Sequence, residues 1–259
     1  MSADFKIGIT GCTGRIGQYL VQELQSGAWD ASLAGGTVRD MSSAPDVDFF
    51  ITDNAEDLFT RADAVIDFTA PDATAQHAAL AAEHGVILIA ATSGLSPDHE
   101  ATLATAGEKT PVVYAANTAV GVNMLIALVQ EAAARLGGAD WDAEVIDIHH
   151  RHKVDAPSGT SYALASAIKE GRDDPDATLT FERQGHTGQR EDGSIGFSVQ
   201  RGGDDTIENT VTFFGNGERL ELTHRATNRA IFARGAIRAA LWAKNKTPAL
   251  YSMRDVLDI

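Results

Sequence analysis

Apolar positions along the chain fall into two regimes. As far as Tyr114, short apolar runs alternate with amphipathic ones. Phe5 to Thr10, Ser32 to Val38, Ala64 to Phe68, Val86 to Ala90 and Pro111 to Tyr114 read as strands. Ile16, Leu20 and Leu24 recur at helical spacing, and Gly27 closes that helix. An alanine-rich helix is expected from a cap at Asp72 to about Glu83, and another from Pro97. Residues 41 to 54 are polar and weakly patterned and read as loop. Strands that are apolar throughout, alternating with helices, predict a parallel sheet covered on both faces. Ligands on such sheets bind beyond the strands' C-terminal ends, which sets Gly11, Arg39, Thr69, Thr92-Ser93 and Ala115-Ala116-Asn117 along one rim. Thr118 to Asn123 reads as a link into an apolar helix from Met124 to Leu136.

The pattern changes after Gly137-Gly138. From Glu144, residues alternate as in a strand: Val145, Asp147 and His149 point one way, Ile146, Ile148 and His150 the other. Further strands are expected at Leu179 to Gln184, Ile195 to Arg201 and Ile207 to Phe214. Gly215-Asn216-Gly217 turns the last of these into Arg219 to Arg225, with His224-Arg225 and Arg229 ending that strand. The glycine-rich loop Gly185 to Gly193 reads as a mobile surface loop. Ile231 to Lys244 forms a closing helix that returns to the first domain. The expected division is therefore 1–118 plus 230–259 for a dinucleotide-binding domain, and 119–229 for a second, α+β domain.

Composition removes several function classes. The chain has 259 residues, enough for one large or two small domains. Its 44% hydrophobic content and mean hydropathy of −0.13 describe an ordinary globule. A net charge of −15 and a pI near 4.8 argue against nucleic acid and anionic membranes as partners. The single cysteine, Cys12, excludes an internal disulfide and suits a reducing compartment. The N-terminus carries no signal-peptide pattern, and no apolar run reaches membrane-spanning length, so a cytoplasmic protein is expected.

Two stretches carry chemistry. Gly11-Cys12-Thr13-Gly14-Arg15-Ile16-Gly17 lies between a strand and a helix, the context of a dinucleotide fingerprint. Thr13 replaces its middle glycine, but the spacing still permits a tight turn at Gly11, a close backbone approach at Gly14 and close helix–sheet packing at Gly17. Cys12 reads as a packing residue. The second stretch is His149-His150-Arg151-His152-Lys153, followed by Pro157 and the helix-opening Ser158-Gly159-Thr160. Free N–H groups at a helix start bind carboxylates, Lys153 adds charge, and histidines exchange protons near neutrality. Zinc is a poor reading, because His149 and His150 face opposite sides and no further ligand stands at zinc spacing. A solvated basic loop is out of character in so acidic a chain.

Together with Val65 to Thr69, Ala116-Asn117, Val120 to Asn123, Gly185 to Gly188 and Met253 to Leu257, these motifs resemble the dihydrodipicolinate reductase (4-hydroxy-tetrahydrodipicolinate reductase) family of the diaminopimelate and lysine pathway, from about Phe5 to Ile259. The resemblance implies an α/β fold: a Rossmann-type parallel sheet with a second α+β substrate and oligomerisation domain, assembled as a homotetramer. It implies NAD(P)H-dependent reduction of a small cyclic dicarboxylate. His149 and Lys153 fall on catalytic positions, and His150, Ser158, Gly159, Thr160 and Arg229 on substrate-carboxylate positions. Cofactor contacts are implied at Gly11, Cys12, Thr13, Gly14, Arg15, Ile16, Arg39, Phe68, Ala91, Thr92, Ser93, Ala115, Ala116, Asn117 and Thr118. No metal is implied. The acid expected at the end of the second strand is Val38, and Ala91 stands where a glycine is often seen. With Arg39 next to Val38, NADPH is the expected cofactor, with NADH still usable. The competing readings are an NAD(P)-sensing regulator, which would need the fingerprint but not His149, Lys153 and the Ser-Gly-Thr cradle together, and a related dehydrogenase acting on another amino-acid-derived acid.

Overall fold

Helix–strand alternation in the first part of the chain builds one parallel sheet. Its elements are β1 (Lys6–Thr10), α1 (Arg15–Gln25), β2 (Ser32–Thr37), β3 (Ile51–Thr52), α2 (Ala55–Phe59), β4 (Ala64–Asp67), α3 (Pro71–His84), β5 (Ile87–Ala90), α4 (Pro97–Gly107) and β6 (Pro111–Tyr114). A second group follows: α5 (Val120–Ala133), β7 (Asp142–His149), α6 (Gly159–Arg172), β8 (Leu179–Thr180), β9 (Ile195–Arg201), β10 (Ile207–Gly215) and β11 (Glu218–Ala226). The chain then closes with α7 (Ala230–Ala243), β12 (Ala249–Tyr251) and α8 (Met253–Leu257). This computed structural model describes residues 5–204 and 207–259. The chain divides into two units, Met1–Val120 with Arg229–Ile259, and Gly121–Asn228.

In the first unit the sheet order is β12-β6-β5-β4-β1-β2-β3, every neighbour parallel. Both faces are dry. Ala64, Ile66, Ile87, Ile89 and Val113 join Leu20, Leu24 and the alanine-lined face of α7 in one cluster. Val65, Leu88 and Val112 meet Ala78, Ala81 and Leu103 of α3 and α4 in another. Each short strand thus feeds alternate side chains to opposite layers, which is why these strands read as unbroken apolar runs.

The second unit carries a mixed sheet, β11-β10-β7-β9-β8. β7 runs parallel to β9 and antiparallel to β10, which forms a hairpin with β11. Leu125 and Val129 of α5 and Leu164 and Ile168 of α6 pack on Val145, Phe197, Val211 and Phe213. Both helices cover the same side of the sheet. Ile146 and Ile148 on the other side are only half-buried, and Phe214 there is exposed.

Several local expectations are corrected. β3 lies within the stretch expected as loop; two residues paired through Gly36↔Ile51 and Thr37↔Thr52 are too short to leave a period. Asp72 is in the first turn of α3 rather than its cap. The N-cap is Ala70, Pro71 occupies N1, and the Asp72 carboxylate meets His99 Nε2 at 3.1 Å. α5 begins at Val120, so the expected link is helical. β8 spans only Leu179–Thr180, because β9 pairs with it no further than Gly196. β12 was not expected. The last strand ends at Ala226, and Arg229 is the N-cap of α7.

α7 is lined by small residues because it presses against backbone. A Cβ at Gly235 would come within 1.8 Å of the Thr118 carbonyl oxygen, and the Thr118 hydroxyl donates to the Phe232 carbonyl at 2.7 Å. Gly137, by contrast, faces open space. Overpacking of this kind costs ~1–3 kcal/mol, which for a chain of this size lowers Tm by roughly 2–12 °C. Gly235→Ala should show that loss by calorimetry, and Gly137→Ala should leave Tm unchanged or slightly raised. Equal Tm values for the two variants would contradict the close approach.

Candidate active site

The buried side of β7 ends in Val145, Asp147 and His149, and Asp147 is fully buried there. A lone carboxylate in that position would be prohibitive, so its partners decide the local structure. Oδ1 hydrogen-bonds Nδ1 of His149, and Oδ2 accepts the backbone N–H of Ser158. Arg201 reaches across from β9, donating from Nη1 to Oδ1 at 3.2 Å and from Nη2 to Oδ2 at 3.4 Å. The register that sets His149 beside Arg201 makes this possible. Burial alone would raise the Asp147 pKa, but bonds from His149, the Ser158 N–H and Arg201 outweigh it and hold the carboxyl far below its usual range. Nε2 of His149 takes no hydrogen bond among the described residues.

Beyond the strand, the loop folds back on itself. Lys153 donates its backbone N–H to the His150 carbonyl at 3.1 Å and its ammonium to both oxygens of Asp155, at 2.8 and 2.9 Å. The His152 N–H donates to Nδ1 of His150 at 3.2 Å. Arg201 ties this loop to the strand through the Asp155 carbonyl at 2.8 Å. A cis Ala156–Pro157 bond leads into α6. Ser158 caps the helix as its type predicts, its hydroxyl accepting the Ser161 N–H at 3.2 Å. Gly159 is exposed and Thr160 half-buried at the helix start. His149, His150, Lys153, Ser158, Gly159 and Thr160 therefore belong to one cluster within the second unit. Arg229 belongs to the first unit.

The cofactor residues expected from the sequence all lie after β1, β2, β4, β5 and β6, in the loops there or, for Arg15 and Ile16, in the first turn of α1, at the C-terminal edge of the parallel sheet. Gly11 has φ +71°, and its N–H donates to the Thr37 hydroxyl at 3.0 Å. A Cβ at Gly17 would lie 2.2 Å from the Gly11 carbonyl oxygen, so α1 approaches its own leading turn as the fingerprint requires. Gly14 is the N-cap, gives α1 no side-chain cap, and no acid stands in the first turn. Free N–H groups facing a glycine turn suit a pyrophosphate, so these residues fit a dinucleotide. Thr13, Gly14 and Arg15 are exposed, and Ile16 is half-buried. Cys12 is buried, and burial pushes its thiol pKa up, as befits packing.

Below this rim lies a second buried carboxylate, Asp67. Its Oδ1 accepts from the hydroxyls of Thr10 (2.8 Å) and Thr69 (2.6 Å) and from the Thr69 N–H (3.0 Å), while Oδ2 faces Nδ1 of His77 at 3.3 Å. Burial alone would raise its pKa, but His77 and the hydroxyls hold it low. The Thr92 hydroxyl accepts from the Thr69 N–H at 3.2 Å and meets the Thr74 hydroxyl at 2.8 Å. Thr92 is thus turned inward, with Ala91 and Ala115 also buried, while Ser93 and Ala116 are exposed. Phe68 and Asn117 are half-buried. Asn117 accepts the Ala119 N–H at 2.9 Å, and Thr118 is buried against α7. Val38 is buried, Arg39 exposed, and the Asp40 carboxylate is turned onto Ser42, accepting its N–H at 2.8 Å and its hydroxyl at 2.7 Å.

Sequence reasoning missed Asp147, Asp155, Arg201 and Asp67 as site residues. Asp147 had a signal, since it shares the strand face of His149 two residues away. Arg201 had none, because only the pairing of β7 with β9 brings it in. The loop expected to be mobile is tied at both flanks: Arg183 grips Glu144 with two bonds at 2.9 and 2.8 Å, and Arg190 binds Glu144 and also Asp142, the latter at 3.0 Å. Among the described residues, no group of three His, Cys, Asp or Glu could hold a metal ion, and no helix is long and apolar enough to cross a membrane.

Comparison with known proteins gives the chain's family and fold. Residues 5–118 match the model for the N-terminus of dihydrodipicolinate reductase, and residues 121–257 that for its C-terminus. The chain is 44% identical to the 4-hydroxy-tetrahydrodipicolinate reductase of Acinetobacter baumannii, covering 100% of this chain and 98% of the relative. It is 43% identical to that of Magnetococcus marinus, over 97% and 98%. Among solved structures, a dipicolinate-bound dihydrodipicolinate reductase from Paenisporosarcina sp. TG-14 shares the fold with a TM-score of 0.81 at 24% identity, over 96% of this chain and 97% of that one. Both halves match that family's models, and its members share the whole length at this identity: the chain belongs to the dihydrodipicolinate reductase family and is an oxidoreductase of that kind.

Proposed function

We propose that the chain reduces 4-hydroxy-tetrahydrodipicolinate, by way of dihydrodipicolinate, to tetrahydrodipicolinate, with His149 as proton donor. The observation that carries this is the convergence at the end of β7 of an oriented imidazole, an ammonium and an N-capped helix start. The first unit holds NAD(P)H on the Gly11–Gly17 turn, and the second holds the substrate. A dinucleotide held there would supply the hydride for the ring. His149 quenches the electron density left on the ring by giving up a proton. Lys153 and the N–H groups of Gly159 and Thr160 hold carboxylate charge, and His150 adds to that recognition. His149→Ala and Lys153→Ala should each lower kcat by ~100-fold or more, the scale of a positioned acid–base group, with native circular dichroism. The assay is NAD(P)H oxidation with freshly made synthase product. Near-normal kcat in both variants would overturn this site, and no oxidation by the unaltered protein would favour a dinucleotide sensor.

The cofactor is NADPH by preference, with NADH usable. A carboxylate at the end of β2 would accept hydrogen bonds from both adenosine ribose hydroxyls and repel a 2′-phosphate. Val38 can do neither, Asp40 is engaged with Ser42, and Arg39 is exposed. A charge-assisted contact to phosphate is worth ~1.5–3 kcal/mol, or roughly 10- to 150-fold in affinity, and exposure places it at the low end. Arg39→Ala should weaken NADPH and leave NADH almost untouched, and the preference should shrink in high salt. A strong NADH preference in the unaltered protein would refute this.

The protein works in the cytoplasm as a homotetramer joined through the sheet of its second unit. Support comes from the side of that sheet that α5 and α6 leave uncovered, where Phe214 is exposed and Ile146 and Ile148 are half-buried. Light scattering at micromolar concentration should give four chains. A monomer mass would contradict the assembly.

A further inference from the structure

The two oxygens of Asp147 serve two different parts of the site. Oδ1 holds the ring of His149, and Oδ2 holds the first N–H of the Ser158 turn. We propose that Asp147 is a positioning residue for the reduction: one carboxylate fixes Nε2 of His149 as the proton-exchanging nitrogen and locks it in register with the start of α6, so that proton donor and carboxylate cradle are held at a set spacing. The inference rests on the reading of His149 as the acid–base group.

An ionised carboxylate can only accept, so Nδ1 of His149 must carry the hydrogen, and Nε2 is the nitrogen left to exchange a proton. Rotating the ring would break that bond and leave Oδ1 with the longer contact from Arg201 in its place. Arg201 keeps Asp147 ionised and extends the same bracing to the Asp155 carbonyl, next to Lys153. A second brace supports the helix start. Asn209, opposite Asp147 on β10, donates to the Ser161 hydroxyl at 3.0 Å, and that hydroxyl meets the Ser158 hydroxyl at 3.0 Å. Asp147 is bonded to strand end, helix start and β9 together.

The test uses the full-length protein. In the unaltered enzyme, long-range proton–nitrogen NMR correlation of the His149 imidazole should show the neutral ring protonated at Nδ1, a result that needs no variant and no activity. In Asp147→Asn the carboxamide can still accept the Ser158 N–H, but it then turns its NH2 toward the ring and favours the other tautomer. We expect kcat to fall ~100- to 10,000-fold, as for a histidine held in the wrong tautomer, with KM changed far less. The double variant Asp147→Asn/His149→Ala should be no slower than His149→Ala alone, because residues that act as a unit lose their effect together. A purely structural Asp147 would instead multiply the two losses, which would overturn the proposal. So would a folded Asp147→Asn enzyme with near-normal kcat beside a crippled His149→Ala, or an unaltered ring protonated at Nε2. A fully active His149→Ala would remove the acid–base reading itself.

Discussion

The second unit is organised by a buried negative charge. A carboxylate taken from water into a sheet interior loses several kcal/mol of solvation after relaxation, and Asp147 is accessible to no solvent at all. It persists because a ring N–H, a backbone N–H and a guanidinium all point at it. Those donors come from the strand itself, the start of α6 and the neighbouring strand β9. Satisfying the carboxylate therefore fixes where three separate segments lie. The loop from His150 to Pro157, which carries the ammonium of Lys153, hangs between two of the fixed points and is held to the third by Arg201. A site built in this way owes its spacing to the interior of the sheet rather than to the exposed loop.

The first unit repeats the device with different donors. Asp67 is the last residue of β4, as wholly buried as Asp147, and faces a histidine, His77. Its remaining bonds go to Thr10, which precedes the glycine turn, and to Thr69, which opens the next loop. Thr92 links the loop after β5 to the same group. Loops at the edge of a parallel sheet have few backbone partners of their own, so a shared buried acceptor keeps three of them in one arrangement. In each unit, a buried aspartate at or near the end of a strand is met by donors from the segments around it.

How much of this was legible in the sequence depended on range. Strands β1, β2, β4, β5 and β6 are apolar on both faces and declared themselves as runs, and the fingerprint's spacing survived the loss of one glycine. Ser158 announced its cap because capping is decided within a single turn. β3 and β12 were missed because two or three residues carry no period and are strands only through their partners. β8 was overextended because apolar and β-branched residues were read without knowing where the pairing stops. Asp147 was seen on the correct face of its strand, but a face does not reveal that Arg201 will arrive from β9. The extended reading of Leu179 to Gln184 failed for a related reason: Arg183 is directed at Glu144 by an ion pair that no local pattern encodes.

The charge distribution follows the same logic. A chain of net charge −15 repels a dianion at long range, yet salt at physiological strength confines that field to about 8 Å. Within such a distance, what matters is the local set of Lys153, Arg201, His149 and the helix start, against Asp147 and Asp155. Asp147 is committed to its three donors, which hold its carboxyl far below the usual range. Asp155 is different: it is about half exposed and holds Lys153 with both oxygens. A carboxylate arriving at Lys153 would meet an ammonium that is already paired, and binding there would exchange one carboxylate for another while Asp155 regained water. The ammonium is never left uncompensated, and its position is kept by a partner that can be released at little cost. The fixed acid orients the histidine and the exchangeable one keeps the lysine in place, so a strongly acidic protein can present a cationic site without a surplus of cations.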